Sequence, residues 1–269
     1  MEFNALLKTL KQKRLITVAH CCDVHYPDHD TKALALTYQV YKEARPDVIV
    51  VGSDEADLSV LSSFTPDPDA AEQTIDVLQE FSAFHNEHIR QLHAAAPDAA
   101  LVFIMGNHER RIYNFLHTHA PKLRKTIEAA WIETARAGGI VHWLDNASEV
   151  SIHGLLVKHG DRVNEYVTKS MLMDAGFQVS IMAGHVHRLS QFTFAGYQKP
   201  VTAVTSGCLC KTVPSYMASV GRKPLRAWQQ GTALAYLDTR RGVVWFDNLL
   251  YVKNGGKLET VLSGKVLSV

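Results

Sequence analysis

Five short stretches of this chain end on residues that bind divalent metals: Asp23-Val24-His25, Gly52-Ser53-Asp54 with Asp57, Gly106-Asn107-His108-Glu109, His159-Gly160 and Gly184-His185-Val186-His187. Carboxylate, imidazole and amide groups together suit borderline first-row metals. No single stretch could fill two octahedral sites alone, so the fold must bring several together. The chemistry this combination serves is metal-dependent hydrolysis.

Most of the clusters follow a short β-like apolar run, which sets their side chains along one edge of a sheet, where open α/β folds bind ligands. Leu15 to Ala19 reads as a buried strand running into Asp23 and His25. Four β-branched residues, Val48 to Val51, suit a parallel strand buried on both faces. Ala100 to Met105 is a third such strand, ahead of Gly106-Asn107-His108. Leu34, Tyr38 and Tyr41 are spaced for a helix over Thr31 to Ala44, which stops at Arg45-Pro46. A second helix is predicted over about 66–95: Asp69 and Glu72 form a capping arrangement, and apolar residues from Ile75 to Leu92 recur at three- and four-residue steps. Residues from about 109 to 137 are also helical, broken at Pro121 and stopped at Gly138-Gly139. Strand, helix, strand, helix, strand predicts a parallel sheet with right-handed crossovers.

Beyond Gly139 the texture changes to short strands: Val150 to Ile152, Leu155 to Lys158, Val179 to Met182, Ser190 to Phe194, Val201 to Thr205, Thr232 to Leu237 and Val243 to Phe246. One helix interrupts them near Glu165 to Asp174. No repeat or low-complexity linker divides the chain, so 1–269 is read as a single domain, with two sheets packed face to face and helices outside.

The bulk numbers are those of an ordinary globular protein: 46% apolar, 20% charged, net charge +1 with His neutral. That charge argues against coating nucleic acid by bulk electrostatics, though a local basic groove stays open. From Ala175 to Leu237 there is no Asp or Glu, while Arg188, Lys199, Lys211, Arg222, Lys223 and Arg226 are present. Either these are uncharged core strands with scattered surface bases, or the loop 208–230 lies near the site and favours an anionic substrate. Tyr216 and Trp228 in that loop could stack on a base or anchor its packing. Cys21, Cys22, Cys208 and Cys210 make a poor disulfide framework and are read as reduced, packed thiols. No apolar run approaches a membrane span, so no membrane partner and a cytoplasmic location are expected.

In the order DxH, GDxxD, GNH(D/E), HG, GHxH, the motifs from Asp23 to His187 resemble the calcineurin-like metallophosphoesterases. DVHYPDHD, SDEADLSVLSSF, GNHERR, Cys208-Leu209-Cys210 and Trp228-Gln229-Gln230-Gly231 are similar to the small phage and bacterial members. The resemblance implies a four-layered α/β/β/α sandwich of two mixed sheets flanked by helices, with a dinuclear centre at the sheet edge. It implies that Asp23, His25 and His187 hold one divalent ion, that Asn107, His159 and His185 hold a second, and that Asp54 bridges them. Manganese is the expected metal, with Fe, Zn, Co and Ni also suited to the set. Two such ions about 3.5 to 4 Å apart would share a bridging hydroxide as the nucleophile on phosphorus. His108 would then protonate the leaving oxygen, Asp57 would orient His108, and Arg110 or Arg111 would reach a phosphate oxygen. The family's glycine before the bridging aspartate is Ser53 here.

Histidines outside the motifs have a plainer reading: His85, His88, His93, His117 and His119 are taken as solvated or partly buried helix residues. His153 also precedes a glycine, but His159 ends a strand-like run and is preferred. Asp28, His29 and Asp30 follow the first motif and could touch metal or substrate, but are read as a solvated loop. The leading function is phosphoester hydrolysis, with a phosphodiester in nucleic acid or a nucleotide as substrate. The rivals are a phosphomonoesterase acting on phosphoprotein or metabolites, and an inert scaffold of the same fold, which the complete motif set disfavours.

Overall fold

The structure, a computed structural model, describes residues 3–52, 54–58, 61, 85–137, 139, 142–144, 147–212 and 228–269. Ser53, Asp69, Glu72, Tyr216, Arg222, Lys223 and Arg226 lie outside the described residues.

The first sheet holds six strands: β1 (Leu15–Cys21), β2 (Val48–Gly52), β3 (Ala100–Ile104), β4 (His142–Trp143), β10 (Gly231–Asp238) and β11 (Val243–Leu250). Their order is β11-β10-β1-β2-β3-β4. β1 to β4 run parallel, while β10 pairs antiparallel with both β1 and β11. The second sheet holds β5 (Glu149–Ile152), β6 (Leu155–Lys158), β7 (Ser180–Ala183), β8 (Leu189–Ala195) and β9 (Pro200–Ser206), in the order β5-β6-β7-β9-β8. Its centre, β6-β7-β9, is parallel and its two edges are antiparallel. Both sheets are therefore mixed.

The continuous apolar runs have a direct cause. Val48 and Val50 of β2, with Val102 and Ile104 of β3, face Leu155, Val157, Met182 and Val204 of the second sheet. Ile49, Val51, Leu101 and Phe103 point the other way, into a core closed by α2 (Thr31–Ala44), α3 (Arg90–Ala95), α4 (Glu109–His119) and α5 (Arg124–Ala137). Alternate side chains of one strand thus enter two different cores, each buried Val, Leu or Ile contributing about 1.5–3 kcal/mol. On the far side α6 (Val167–Asp174) packs Val167, Met171 and Leu172 on Ile181, Ala183 and Ala203. The layers are helix, sheet, sheet, helix.

Three features were not anticipated, the short edge strand β4 among them. The first helix, α1 (Phe3–Leu10), buries Leu6 and Leu10 against the core between the sheets. At the other end, β12 (Val252–Asn254), β13 (Lys257–Leu262) and β14 (Lys265–Ser268) form a three-stranded antiparallel sheet whose Leu258, Leu262 and Leu267 join the α2 side of the core. The helix expected over about 66–95 is described from residue 85, where His85–Ile89 forms a π-helical turn leading into α3. Among the described residues no helix is long and apolar enough to cross a membrane.

Candidate metal centre

The five motifs meet where the carboxyl ends of both sheets come together. Asp23 and His25 follow β1, Asp54 and Asp57 follow β2, and Asn107 and His108 follow β3. His159 follows β6 in the second sheet, and His185 and His187 follow β7. Backbone bonds stitch the loops: His25 N–H donates to Asp54 O (3.0 Å), and the Leu209 and Cys210 N–H groups donate to Asp23 O (3.0 and 3.1 Å). Asp23, His25, Asp54, His185 and His187 all take positive φ, between 52° and 73°. Each such non-glycine residue costs of order 1–3 kcal/mol, and strain of this kind persists where surrounding structure over-determines the site. Two motif glycines explain how the carboxylates fit. A Cβ on Gly106 would lie 2.1 Å from Asp54 Oδ1, and one on Gly184 would lie 2.3 Å from Asp23 Oδ2.

The donor atoms form two adjoining groups. In one, His187 Nε2 lies 3.0 Å from Asp23 Oδ1 and 3.1 Å from His25 Nε2. In the other, His159 Nε2 lies 2.7 Å from Asn107 Oδ1, 3.0 Å from His185 Nδ1 and 3.4 Å from Asp54 Oδ2. Asp54 is common to the groups Asp23-His25-Asp54 and Asp54-His159-His185. All of these except Asn107 and His185 are buried.

This set fits metal ions on its own chemistry. Two ligands at right angles on bonds of about 2.1 Å lie about 3.0 Å apart, which is the spacing of the facing imidazole nitrogens. Hydrogen bonding alone serves the arrangement poorly: one nitrogen of His159 faces an amide oxygen, a carboxylate oxygen and a second ring nitrogen, and its other, Nδ1, is buried and, among the described residues, has no hydrogen-bond partner. The electrostatics ask for positive charge as well. Burial opposes ionisation of Asp23, but His187, His159 and His25 outweigh it and hold its carboxyl well below the usual range. Burial likewise opposes ionisation of Asp54, and His159, His108 and His25 still hold it low. Burial also works against a charged His187, yet Asp23 pulls that ring up to about 10. Asp23 thus draws a proton onto His187, the place a bound cation would take, while burial holds the His25 and His159 rings below their ordinary range.

His108 sits beside the two groups, with Nδ1 2.8 Å from Asp57 O and 3.1 Å from Asp57 Oδ1. Asp57 also lies 3.0 Å from His25 Nδ1, so one carboxylate orients two rings. The two basic residues after the motif part company. Neither lines the cavity: Arg110 is exposed, whereas Arg111 packs beside the site, with Nη2 3.0 Å from His108 Nε2 and Nη1 2.6 Å from Asp57 O.

Glu109 closes the motif and is fully buried. Its Oε1 accepts from the Glu55 and Ala56 N–H groups (2.7 and 3.1 Å), and its Oε2 from Asp54 and Gly106 (3.1 and 2.7 Å). One side chain therefore shapes the loops that carry Asp54 and Asn107. Glu109→Gln is expected to lower the unfolding free energy by about 3 kcal/mol, because an amide leaves buried N–H groups facing an NH₂. A urea titration checks this, and an unchanged midpoint would mean that the loops hold themselves.

A cavity of about 140 Å³ opens over the centre, lined by His25, Asp54, Asn107, His108, His185 and His187, and also by Asp28, Cys210 and Trp228. Of the last three, Asp28 and Trp228 were site contacts only in the less favoured readings of the sequence, and Cys210 was read as a packed thiol. Asp28 was read as solvated; it lines the cavity because its N–H donates to His25 O (2.7 Å), folding the chain back on the first motif. Asp30 caps α2 instead, and His29 stacks on Tyr26. Trp228 meets His187 edge to face, ring centroids 4.0 Å apart. His153 bonds Leu7 O, away from the centre. His88, expected to be at least partly solvated, is buried at 2% exposure.

No curated protein matches the sequence. Among solved structures, Vps29 from Chaetomium thermophilum in complex with a cyclic peptide is 11% identical, with 96% of this chain and 97% of that one covered and a TM-score of 0.44. A Vps29 mutant from Entamoeba histolytica is also 11% identical, with coverages of 94% and 97% and a TM-score of 0.40. A predicted phosphoesterase from Streptococcus pneumoniae is 10% identical, with coverages of 96% and 98% and a TM-score of 0.34. The sequence profile of the calcineurin-like phosphoesterases matches residues 16–189, every motif included, and the chain belongs to that family.

Proposed function

We propose that this protein is a metal-dependent phosphoester hydrolase whose substrates are phosphodiesters, in nucleic acid or nucleotides. The observation that carries the reading is the convergence of seven candidate ligands from both sheets, with His108 beside them. In it, Asp23, His25 and His187 hold one divalent ion, Asn107, His159 and His185 a second, and Asp54 both, with manganese as the preferred metal. Bound there, such ions supply an acidified water and neutralise phosphoryl charge.

The chain's own groups do the rest. Asp57 fixes the His108 ring so that Nε2 faces the cavity, within reach of a leaving oxygen. Arg111, beside that nitrogen, is placed to meet a phosphoryl oxygen. Trp228 and Cys210 give one wall an apolar surface on which the second ester group of a diester, or a base, can rest. Four unpaired, buried thiols suit a reducing cytoplasm.

The test compares bis-p-nitrophenyl phosphate with p-nitrophenyl phosphate, using metal-stripped protein resupplied with Mn²⁺. Diester turnover that requires the metal and exceeds monoester turnover by about tenfold is the expected result. A monoester preference would replace the diester reading with a phosphatase. Turnover of neither by metal-loaded protein would sink the hydrolase reading and leave a scaffold.

A further inference from the structure

Behind the centre, on the helix side of the first sheet, a second group of ligand-type side chains meets. It comprises Cys21 at the end of β1, Glu55 beside Asp54, and His88 in the π-helical turn before α3. Their exposures are 0%, 1% and 2%. Cys21 Sγ lies 3.4 Å from His88 Nε2, and His88 Nε2 lies 3.6 Å from Glu55 Oε2.

Hydrogen bonding leaves this cluster unfinished. Glu55 Oε1 accepts from Gly52 N–H at 3.0 Å, but Oε2 is buried and, among the described residues, has no hydrogen-bond partner. At 3.6 Å its approach to His88 is too long for such a bond, and a buried, unsatisfied carboxyl oxygen is costly. His88 is already oriented, with Nδ1 2.6 Å from Tyr38 Oη, so its Nε2 can present a lone pair to Cys21 and Glu55. A hydrogen bond on the far nitrogen is how ligating histidines are commonly held. Bonds of about 2.3 Å to sulfur and about 2.0 Å to nitrogen or oxygen, at tetrahedral angles, put donors about 3.3–3.6 Å apart. The Cys21–His88 and His88–Glu55 spacings, 3.4 and 3.6 Å, lie within about 0.3 Å of those values, and all three donors lie within 4.8 Å of one another. The irregular turn at His85–Ile89 supplies a further hint, since π-helical turns gather at functional positions.

We infer that Cys21, Glu55 and His88 form a separate, buried site for a thiophilic divalent ion such as Zn²⁺. Its fourth position falls to a small ligand such as water. The ion would tie the 85–95 helical segment to the loop that carries Asp54, a structural role independent of hydrolysis. Thiolate, imidazole and carboxylate donors favour Zn²⁺ over Mn²⁺ here, whereas the cavity centre lacks a thiolate in its proposed ligand set.

Cobalt reports on the site directly, because a thiolate ligand gives Co²⁺ a near-ultraviolet charge-transfer band that imidazole and carboxylate do not. The full chain, stripped and reloaded with Co²⁺, is expected to show that band and to lose it in Cys21→Ser. Cys210→Ser, which removes the thiol beside His187, should keep it, as should Asp54→Asn. Metal analysis of zinc-loaded protein should find one equivalent fewer in Cys21→Ser and in His88→Gln than in the parent. His88→Gln retains the thiol, so a full-strength band in that folded variant would overturn the site even if Cys21→Ser failed to fold. A parent protein without the band, or a band that follows Cys210 rather than Cys21, would overturn it too. Since none of these readouts is turnover, their failure is distinct from failure of the hydrolase proposal.

Discussion

Asp54→Asn is expected to reduce kcat/KM for a phosphodiester by about a thousandfold or more, equivalent to roughly 4 kcal/mol of transition-state stabilisation. The size follows from its position. Asp54 alone belongs to both donor groups, Asp23-His25-Asp54 and Asp54-His159-His185. The substitution keeps its shape, and the amide oxygen can still accept from His108 N–H, which lies 2.8 Å from Oδ1. What is lost is a buried negative charge where the proposal puts two cations side by side. Metal content after dialysis should fall along with activity, while the urea midpoint of metal-free protein should move far less than in Glu109→Gln. That contrast separates a charge that recruits ions from a carboxylate that builds loops. Activity within tenfold of the parent, at full metal loading, would remove Asp54 from the catalytic account.

Much of this site was legible because each motif directly follows a strand whose sequence is unambiguous. Val48–Val51 and Leu101–Ile104 are apolar on consecutive positions, short and rich in β-branched residues, which suits a strand buried on both faces, and the motif then emerges at the sheet edge. Less could be read where the determinant was conformation or long-range packing. Positive φ at Asp23, His25, Asp54, His185 and His187 has no signature in residue type, since none of them is glycine. Asp28 enters the cavity through a backbone turn onto His25, and Cys210 and Trp228 arrive from positions almost 200 residues away in sequence. His88 was misjudged for the same reason: helical spacing sets the face it occupies, but its burial depends on Cys21, Tyr38 and Glu55 from other elements. The C-terminal strands had local cues, in Gly255-Gly256 and in the alternation of Leu258, Thr260 and Leu262, and were nevertheless passed over.

His108→Ala should separate substrates by leaving group. For a diester that expels an alkoxide, kcat is expected to fall about 100- to 1,000-fold, within the range for losing a general acid. With a p-nitrophenyl ester the fall should be about threefold, because that leaving group departs without needing a proton. The geometry gives the reason. Asp57 anchors Nδ1 through its carbonyl and carboxylate oxygens, leaving Nε2 as the atom that handles the transferred proton. Burial opposes a proton on this ring, but the Asp57 hydrogen bond and the Asp54 charge together raise its pKa, which favours the acid form. Arg111 works in the opposite direction, since a guanidinium can only donate and it lies 3.0 Å from Nε2. In this arrangement Nε2 must accept, so His108 can act as an acid only once Arg111 turns away. An anionic phosphoryl oxygen is the partner able to draw the guanidinium off, which couples arrival of substrate to release of the acid. Arg111→Ala should therefore weaken substrate binding and raise KM while leaving the leaving-group dependence of kcat in place. In His108→Ala that dependence should steepen. Equal losses on both esters in His108→Ala would assign the residue to ligand positioning instead of proton transfer.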